Sequence, residues 1–418
     1  MLKGLVRRAL GVIVATITAA VPFAAMPATS TADATSGTLF AITGPSQSTL
    51  SRVDPISGVI SPIEDLAGVN QGQLGTMTGD AATHRIFAVR TSVVSTPPSQ
   101  IDLANELLTI NSISGSVFVS PTVNVPVGQV GFDPATNTVF GLGPTGIFKV
   151  DPVSGDTTTV ATAAKLGFSC CGITSMAVVP GGHTIYVNDD AFDTDTGTNT
   201  NQIITLDTSS GAVTSSPVVP GSVRIIAFDS GDGGLYGLAD CCPRQLVRLD
   251  PSSAAESSVA AFSSDPNQGM PFAMAVDPST HTVFTDLQTF IDPDTTQDQI
   301  VSINDQDGTT SVSSPINNNL VWSQYFEVPA PVITAGTVSA EIQAALASGA
   351  VSKAGIATSL LAKLRNAQAA HDRGQCATAA NLYKAFVNEV SALGDKGIAS
   401  ATAAKLVSDA QVLSRSCP

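Results

Sequence analysis

The sequence predicts an all-β six-bladed β-propeller with four-stranded blades, the first closed by a late strand, followed by a small C-terminal α-helical bundle. Three observations predict it. A short phrase recurs six times between residues 50 and 310, one strand is missing at the start while another is spare near the end, and the composition changes after residue 330. Units repeated at such spacing cannot bury their own apolar faces and need neighbours on both sides.

Residues 1–34 read as a secretory signal peptide. Lys3, Arg7 and Arg8 precede an apolar run from Ala9 to Ala28, and Ala32-Asp33-Ala34 supplies small residues for cleavage. Pro22 and Pro27 interrupt the run and a polar stretch follows, which argues against a membrane anchor. No later segment is long and apolar enough to span a bilayer, so the mature chain is expected to be secreted, extracellular or associated with the cell surface.

Residues 35–330 form the propeller. The recurring phrase is two alternating apolar residues, an Asp or Asn, a turn that usually holds Gly, and a second β-prone run. It begins at Leu50, Leu108, Ile147, Ile204, Leu246 and Ile303, with turn residues Asp54, Asn111, Asp151, Asp207, Asp250 and Asn304. Ahead of each copy lies an apolar run ending in Asp-Pro or an equivalent turn, as in Gln129–Pro134 and Met274–Pro278, then a short polar stretch and an apolar-aromatic run. Asp bonds the backbone ahead of it and Pro fixes its own φ, so the two signatures read as antiparallel strands a–b and c–d. The first blade lacks strand a, and Leu320–Val328 is a strand without a partner. Donating that strand to the first blade closes the ring and leaves only short, protected edges.

The blades alternate. Turn residues are separated by 57, 40, 56, 43 and 54 positions, but taken two at a time by 97, 96, 99 and 97. The difference lies in the b–c loops, which are long in blades two, four and six. His84, His183 and His281 fall in those same blades, and read as polar turn formers too far apart around a ring to share one metal.

Residues 35–336 carry 8 Lys and Arg against 28 Asp and Glu, whereas residues 337–418 carry 8 against 5. So acidic a body excludes nucleic acid, because neutralising phosphates needs clustered basic residues. The chemistry is less legible than the fold. The long loop of blade four sets Asp189, Asp193 and Asp195 near Gly197; alternate Asp with Gly suits Ca²⁺, although the full calcium loop with its terminal Glu is absent and a solvated loop accounts for the same residues. No other cofactor is expected. Cys170-Cys171 enters blade four and Cys241-Cys242 lies in the b–c loop of blade five, so both pairs are expected on one face of the ring. They admit two cross-links between the loops, two vicinal bridges, or a redox or metal site. No nucleophile elbow, HExxH or phosphate loop is present.

These strand phrases resemble the secreted propellers with NHL, YVTN and virginiamycin-lyase-like repeats, a resemblance that implies fold and not activity. Propellers of the senescence-marker-protein lactonase type hold a divalent cation in the channel with Glu, Asn and Asp. Here the matching inner-strand positions are Thr76, Gln129, Ser175, Ile225 and Ala273, with no carboxylate among them.

Residues 331–354 read as a linker with room for a short helix, and residues 355–418 as three helices. Leu360, Leu361 and Leu364, then Leu382, Phe386 and Val390, then Leu406 and Leu413 have helical spacing, and Gly374 and Gly394 fall where helices stop. Leu361–Leu364, Arg373–Cys376 and Ala385–Val390 resemble the FIMAH module found at the end of exported bacterial proteins, which implies an accessory domain without catalytic residues. Antiparallel helices bring Cys376 and Cys417 to one end of the bundle, and a bridge between them closes a loop of about 40 residues, worth roughly 3–4 kcal/mol.

The expected function is a secreted, propeller-scaffold binding or surface-interaction protein that engages a polymer, glycan or protein on its long-loop face, with the helical tail as an accessory. The alternative is a secreted hydrolase or lyase of the propeller class, acting on a lactone, glycoside or cyclic peptide and dependent on Ca²⁺.

Overall fold

The computed structural model describes residues 37–415 except 45–47, 67–72, 96–101, 168–172, 194–196, 240–242, 265–268, 270, 293–294, 318–322, 329–332 and 395. The leader at 1–34, Asp195, Cys170, Cys171, Cys241, Cys242 and Cys417 lie outside the described residues.

Six antiparallel sheets form the ring. Blade one takes its inner strand from Ser323–Glu327, which pairs with Thr38–Thr43, followed outward by Thr49–Val53 and Ile60–Asp65. The register sets Leu39 opposite Phe326 and Ala41 opposite Gln324, so the late strand closes the ring as the spare and missing strands predict. Inner strands of blades two to six are Gln73–Asp80, Gln129–Asp133, Ile173–Val179, Val223–Asp229 and Met274–Asp277. In blades four and six the outermost strand is broken, and the short pieces Val219–Pro220 and Ile316–Asn317 pair again with strand c.

Each seam between blades has its own apolar core. Phe40, Ile42 and Leu50 of blade one pack with Ile86, Ala88 and Leu108 of blade two, and Tyr236, Leu238 and Leu246 of blade five pack with Val283, Val301 and Ile303 of blade six. Strands b and c are therefore buried on both faces and read as continuous apolar runs such as Leu39-Phe40-Ala41-Ile42, whereas the outer Val117–Val119 is exposed throughout. Each fully buried Leu, Ile or Phe contributes about 1.5–3 kcal/mol relative to exposure, gained only when a neighbouring blade is present.

The c–d turns explain the recurring phrase. Asp54 Oδ1 accepts the N–H groups of Ile56 and Ser57 at 2.8 and 3.0 Å, and Gly58 follows at φ +69°. Asn111, Asp151, Asp207 and Asn304 repeat that bonding, with Gly115, Gly155, Gly211 and Gly308 in the left-handed position. Blade five instead holds Ala254 there at φ +54°.

The a–b turns explain the alternation. His84, His183 and His281 have φ of 55°, 52° and 54°, and Asn137 takes the same place in blade three at φ 51°. In each even blade the histidine carbonyl accepts the N–H of the residue after the c–d turn Asx, namely Ser112, Thr208 and Asp305. In the odd blades that residue is Pro55, Pro152 or Pro251, which has no N–H to give.

A short helix, α1 (Ala163–Leu166), ends blade three. After the ring come α2 (Ala335–Ala347), α3 (Ala354–His371), α4 (Cys376–Leu393) and α5 (Ser400–Arg415). Thr334 and Thr337 form a reciprocal cap on α2, which packs Val338, Ile342 and Ala345 into one core with Leu360, Leu364, Tyr383, Phe386, Val390 and Leu406. The described module has four helices, three within 355–418 and α2 within the segment 331–354 that reads as a linker with room for a short helix; the Ala, Thr and Gln of α2 give its apolar stripe little contrast. Gly374 at φ +69° terminates α3. Arg415 at the end of α5 donates Nη1 to the Pro134 carbonyl at 3.3 Å and holds Nε 3.9 Å from Asp80 Oδ2, touching the ring at blades two and three. No helix among the described residues is long and apolar enough to cross a membrane.

Candidate functional site

The d–a and b–c connections share one face of the ring. There the hairpins of the even blades are long: Arg85–Ser95 with Asp102–Asn111, Thr184–Asp193 with Thr198–Asp207, and Thr282–Asp292 with Thr295–Asn304. At the blade six tip Phe290 is 51% and Ile291 58% exposed, and Phe272, beside the channel mouth, is 39% exposed. Large apolar side chains are exposed elsewhere too, Ile56, Ile113 and Val153 on the c–d turns of the opposite face and Phe118 on an outer strand. On this face they stand at a long hairpin tip and at the channel mouth.

The channel mouth on this face, about 150 Å³, is lined by Thr76, Gln129, Ser175, Ile225, Ala273 and Ser323, one from each blade, in its inner strand or, for Ala273, just before it. Five of these are the positions aligned from the sequence; Ser323 comes from the late strand. Their hydroxyls are spent on the ring. Ser323 Oγ accepts Met77 N at 3.0 Å, Thr76 Oγ1 accepts Val130 N at 2.9 Å, and Ser175 Oγ accepts Ile226 N at 2.9 Å, each stapling one inner strand to the next blade. The described lining of this mouth is uncharged, and a hard dication needs several oxygens including anionic ones. Met77, Val130, Met176, Ile226 and Met274 line the channel between this mouth and a wider one of about 520 Å³ at the opposite end, which is bordered by Asp80, Pro134, Pro180, Ser230 and Pro278.

Beneath the blade six hairpin lies a buried carboxyl. Asp286 Oδ1 accepts Phe272 N and Ala273 N, each at 2.8 Å, and among the described residues Oδ2 has no hydrogen-bond partner. Burial pushes this group up to about 8, against the pull of the two backbone donors, and the nearby Asp298 adds to the rise. The same site in blade four is Asn188, which donates to the Val223 carbonyl, and in blade two it is Val89.

Of the sequence candidates, Asp189 is buried in strand b of blade four, opposite Gln202, and Asp193 ends that strand, opposite Thr198. Four residues of strand separate their Cα atoms by about 13 Å. Strand Ile173–Val179 begins and strand Gly234–Ala239 ends on the long-hairpin face, and the two cysteine pairs lie outside the described residues. Cys376 opens α4.

Sequence reasoning missed one group. Asp229, Asp232, His281 and Asp305 offer ligand atoms within 4.8 Å of one another at the seam of blades five and six, on the face opposite the long hairpins. The signal was present in the repeats: Asp305 stands where blades two and four have Ser112 and Thr208.

None of the curated proteins matches the sequence. Among solved structures the chain is similar to TolB from Acinetobacter baumannii, at 14% identity and TM-score 0.46, covering 70% of this chain and 66% of that one. It is also similar to a putative TolB from Agrobacterium tumefaciens, at 9% identity and TM-score 0.43 over 70% of this chain and 98% of that one. A third is a putative 6-phosphogluconolactonase from Bacteroides uniformis, at 12% identity and TM-score 0.40 over 67% and 82%. Residues 335–415, which hold the four described helices of the module, match the FIMAH domain.

Proposed function

We propose that the protein is an exported binding protein whose long-hairpin face holds an extended, uncharged polymer of the glycan class, with the FIMAH segment as its accessory domain. The observation that carries this reading is the set of long hairpins on one face, with Phe290 and Ile291 exposed at the blade six tip and Phe272 exposed at an uncharged channel mouth. Aromatic side chains offer rigid apolar surface at low entropic cost, and a closed ring holds them in fixed relation. The acidic body, with 8 basic against 28 acidic residues over 35–336, repels polyanions and favours a neutral ligand. Export follows from the leader at 1–34, and a Cys376–Cys417 bridge belongs to the same reading, since structural disulfides persist in oxidising compartments.

The test is retention of the mature chain by insoluble neutral polysaccharides, compared with a Phe290→Ser, Ile291→Ser variant. Retention that falls at least about tenfold in the variant supports the reading, a loss of roughly 1.4 kcal/mol. Retention unaffected by the double substitution sinks it.

A further inference from the structure

The seam between blades five and six carries more acid than its counterparts. The a–b turn of blade five, Asp229-Ser230-Gly231-Asp232-Gly233, faces His281 and Asp305 of blade six. His281 Nδ1 lies 2.8 Å from Asp229 Oδ2 and 3.9 Å from Asp305 Oδ1. At the seam of blades one and two the same histidine position, His84, meets one carboxylate, Glu327, at 2.6 Å. The His–carboxylate pair is therefore part of the ring's own joinery. What blade six adds is Asp305 where the other even blades use Ser112 and Thr208, and what blade five adds is Asp232 where blade three has Thr136.

These additions are costly unless something offsets them. The Asp305 side chain is wholly buried; Oδ1 accepts Gln306 Nε2 at 2.9 Å, while among the described residues Oδ2 accepts no hydrogen bond. Asp229 is equally buried, with Oδ1 taken by Gly231 N at 2.7 Å. Three carboxylates face one imidazole, and among the described residues the other cation at the cluster is Arg248, 3.3 Å from Asp232. Two buried carboxylates in contact need a shared proton or a cation between them.

We propose that this seam is a binding site for a first-row transition-metal dication, Zn²⁺ above all, held by His281 Nδ1 and the carboxylates of Asp229 and Asp305, with Asp232 closing the set. A nitrogen ligand beside carboxylates suits Zn²⁺ better than Ca²⁺, which takes six to eight oxygens. Tetrahedral Zn²⁺ with bonds of about 2.0–2.1 Å sets its ligands roughly 3.3 Å apart, so a set already within 4.8 Å needs only a small contraction. The supports are in place: Gly231 N holds Asp229, and Gly234 N and the Tyr236 hydroxyl hold Asp232 at 2.7 and 2.8 Å. His281 keeps about a third of its side chain exposed, which leaves an entry path. The metal would pin blade five to blade six, and it is independent of the ligand on the opposite face.

The mature chain, stripped with chelator, is titrated with Zn²⁺ while bound metal and the unfolding temperature are measured. One equivalent is expected to bind and raise the unfolding temperature, and Asp305→Ser, which restores the residue type of the sister blades and is expected to fold, weakens binding at least about tenfold. His84→Asn, at the other seam, leaves the Zn²⁺ effect intact. The proposal is overturned if the wild type binds no Zn²⁺, which assigns the buried pair to a shared proton, or if Asp305→Ser binds Zn²⁺ as the wild type does.

Discussion

His84 Nδ1 and Glu327 Oε1 lie 2.6 Å apart, joining a turn of the second blade to the last strand of the ring. The contact links positions 243 apart in sequence, so it exists only when the ring is closed. Glu327→Ala removes the partner of a half-buried histidine and is expected to cost about 1–3 kcal/mol in urea unfolding. His84→Ala is expected to lose roughly 1 kcal/mol more than His84→Gly, because alanine resists the left-handed backbone that position requires.

The closing strand also carries apolar contact. Phe326 is buried and stacks on Phe284 of blade six at 5.1 Å, within the core shared by the first and last blades. Phe326→Ala is expected to cost about 3–5 kcal/mol. A loss confined to that range, with the slope of the denaturant curve unchanged, marks a closed ring that unfolds as one unit.

Ala254 sits at φ +54°, where five sister turns hold glycine. Ala254→Gly is expected to stabilise the protein by about 0.5–1 kcal/mol, the reverse of the usual cost of glycine. Gly155→Ala, whose added Cβ would stand 2.5 Å from the Pro121 carbonyl, is expected to destabilise it. Thermal unfolding of the two variants measures both signs.

Asp286 makes stability depend on pH. Its carboxyl is raised from 3.8 to about 8, so between those values the native chain keeps a proton that the unfolded chain has lost. Stability is therefore free of this penalty below about pH 4, falls as pH rises, and levels off above about pH 8. Asp286→Asn, which supplies the Asn of the sister blade and still accepts from Phe272 and Ala273, is expected to gain roughly 2–4 kcal/mol at pH 7 and almost nothing at pH 4. A gain that does not change with pH contradicts the assignment.

Much of the ring is legible because its rules are local. An Asx that bonds two backbone N–H groups, a left-handed glycine and a proline without a donor recur at fixed offsets, and the missing first strand points to Ser323–Glu327. The site is less legible because its residues meet across seams. Asp229 and His281 are 52 positions apart, each with an ordinary turn-forming role, and only their contact makes them a cluster. Asp286 likewise reads as one more loop acid, and its burial depends on the strand start at Phe272 and Ala273 folding over it. Helix α2 is legible only as room for a short helix in the linker at 331–354, because its buried Val338, Ile342 and Ala345 are too few and too small to stand out from Ala, Thr and Gln.

The central claim is that the long-hairpin face holds a neutral polymer. The direct measurement is retention of the mature chain on immobilised neutral and polyanionic polysaccharides across a range of salt. Retention by a neutral polymer, unchanged by salt and lost with Phe290→Ser and Ile291→Ser, is the result predicted. Retention by the polyanion alone, weakening as salt rises, would contradict it.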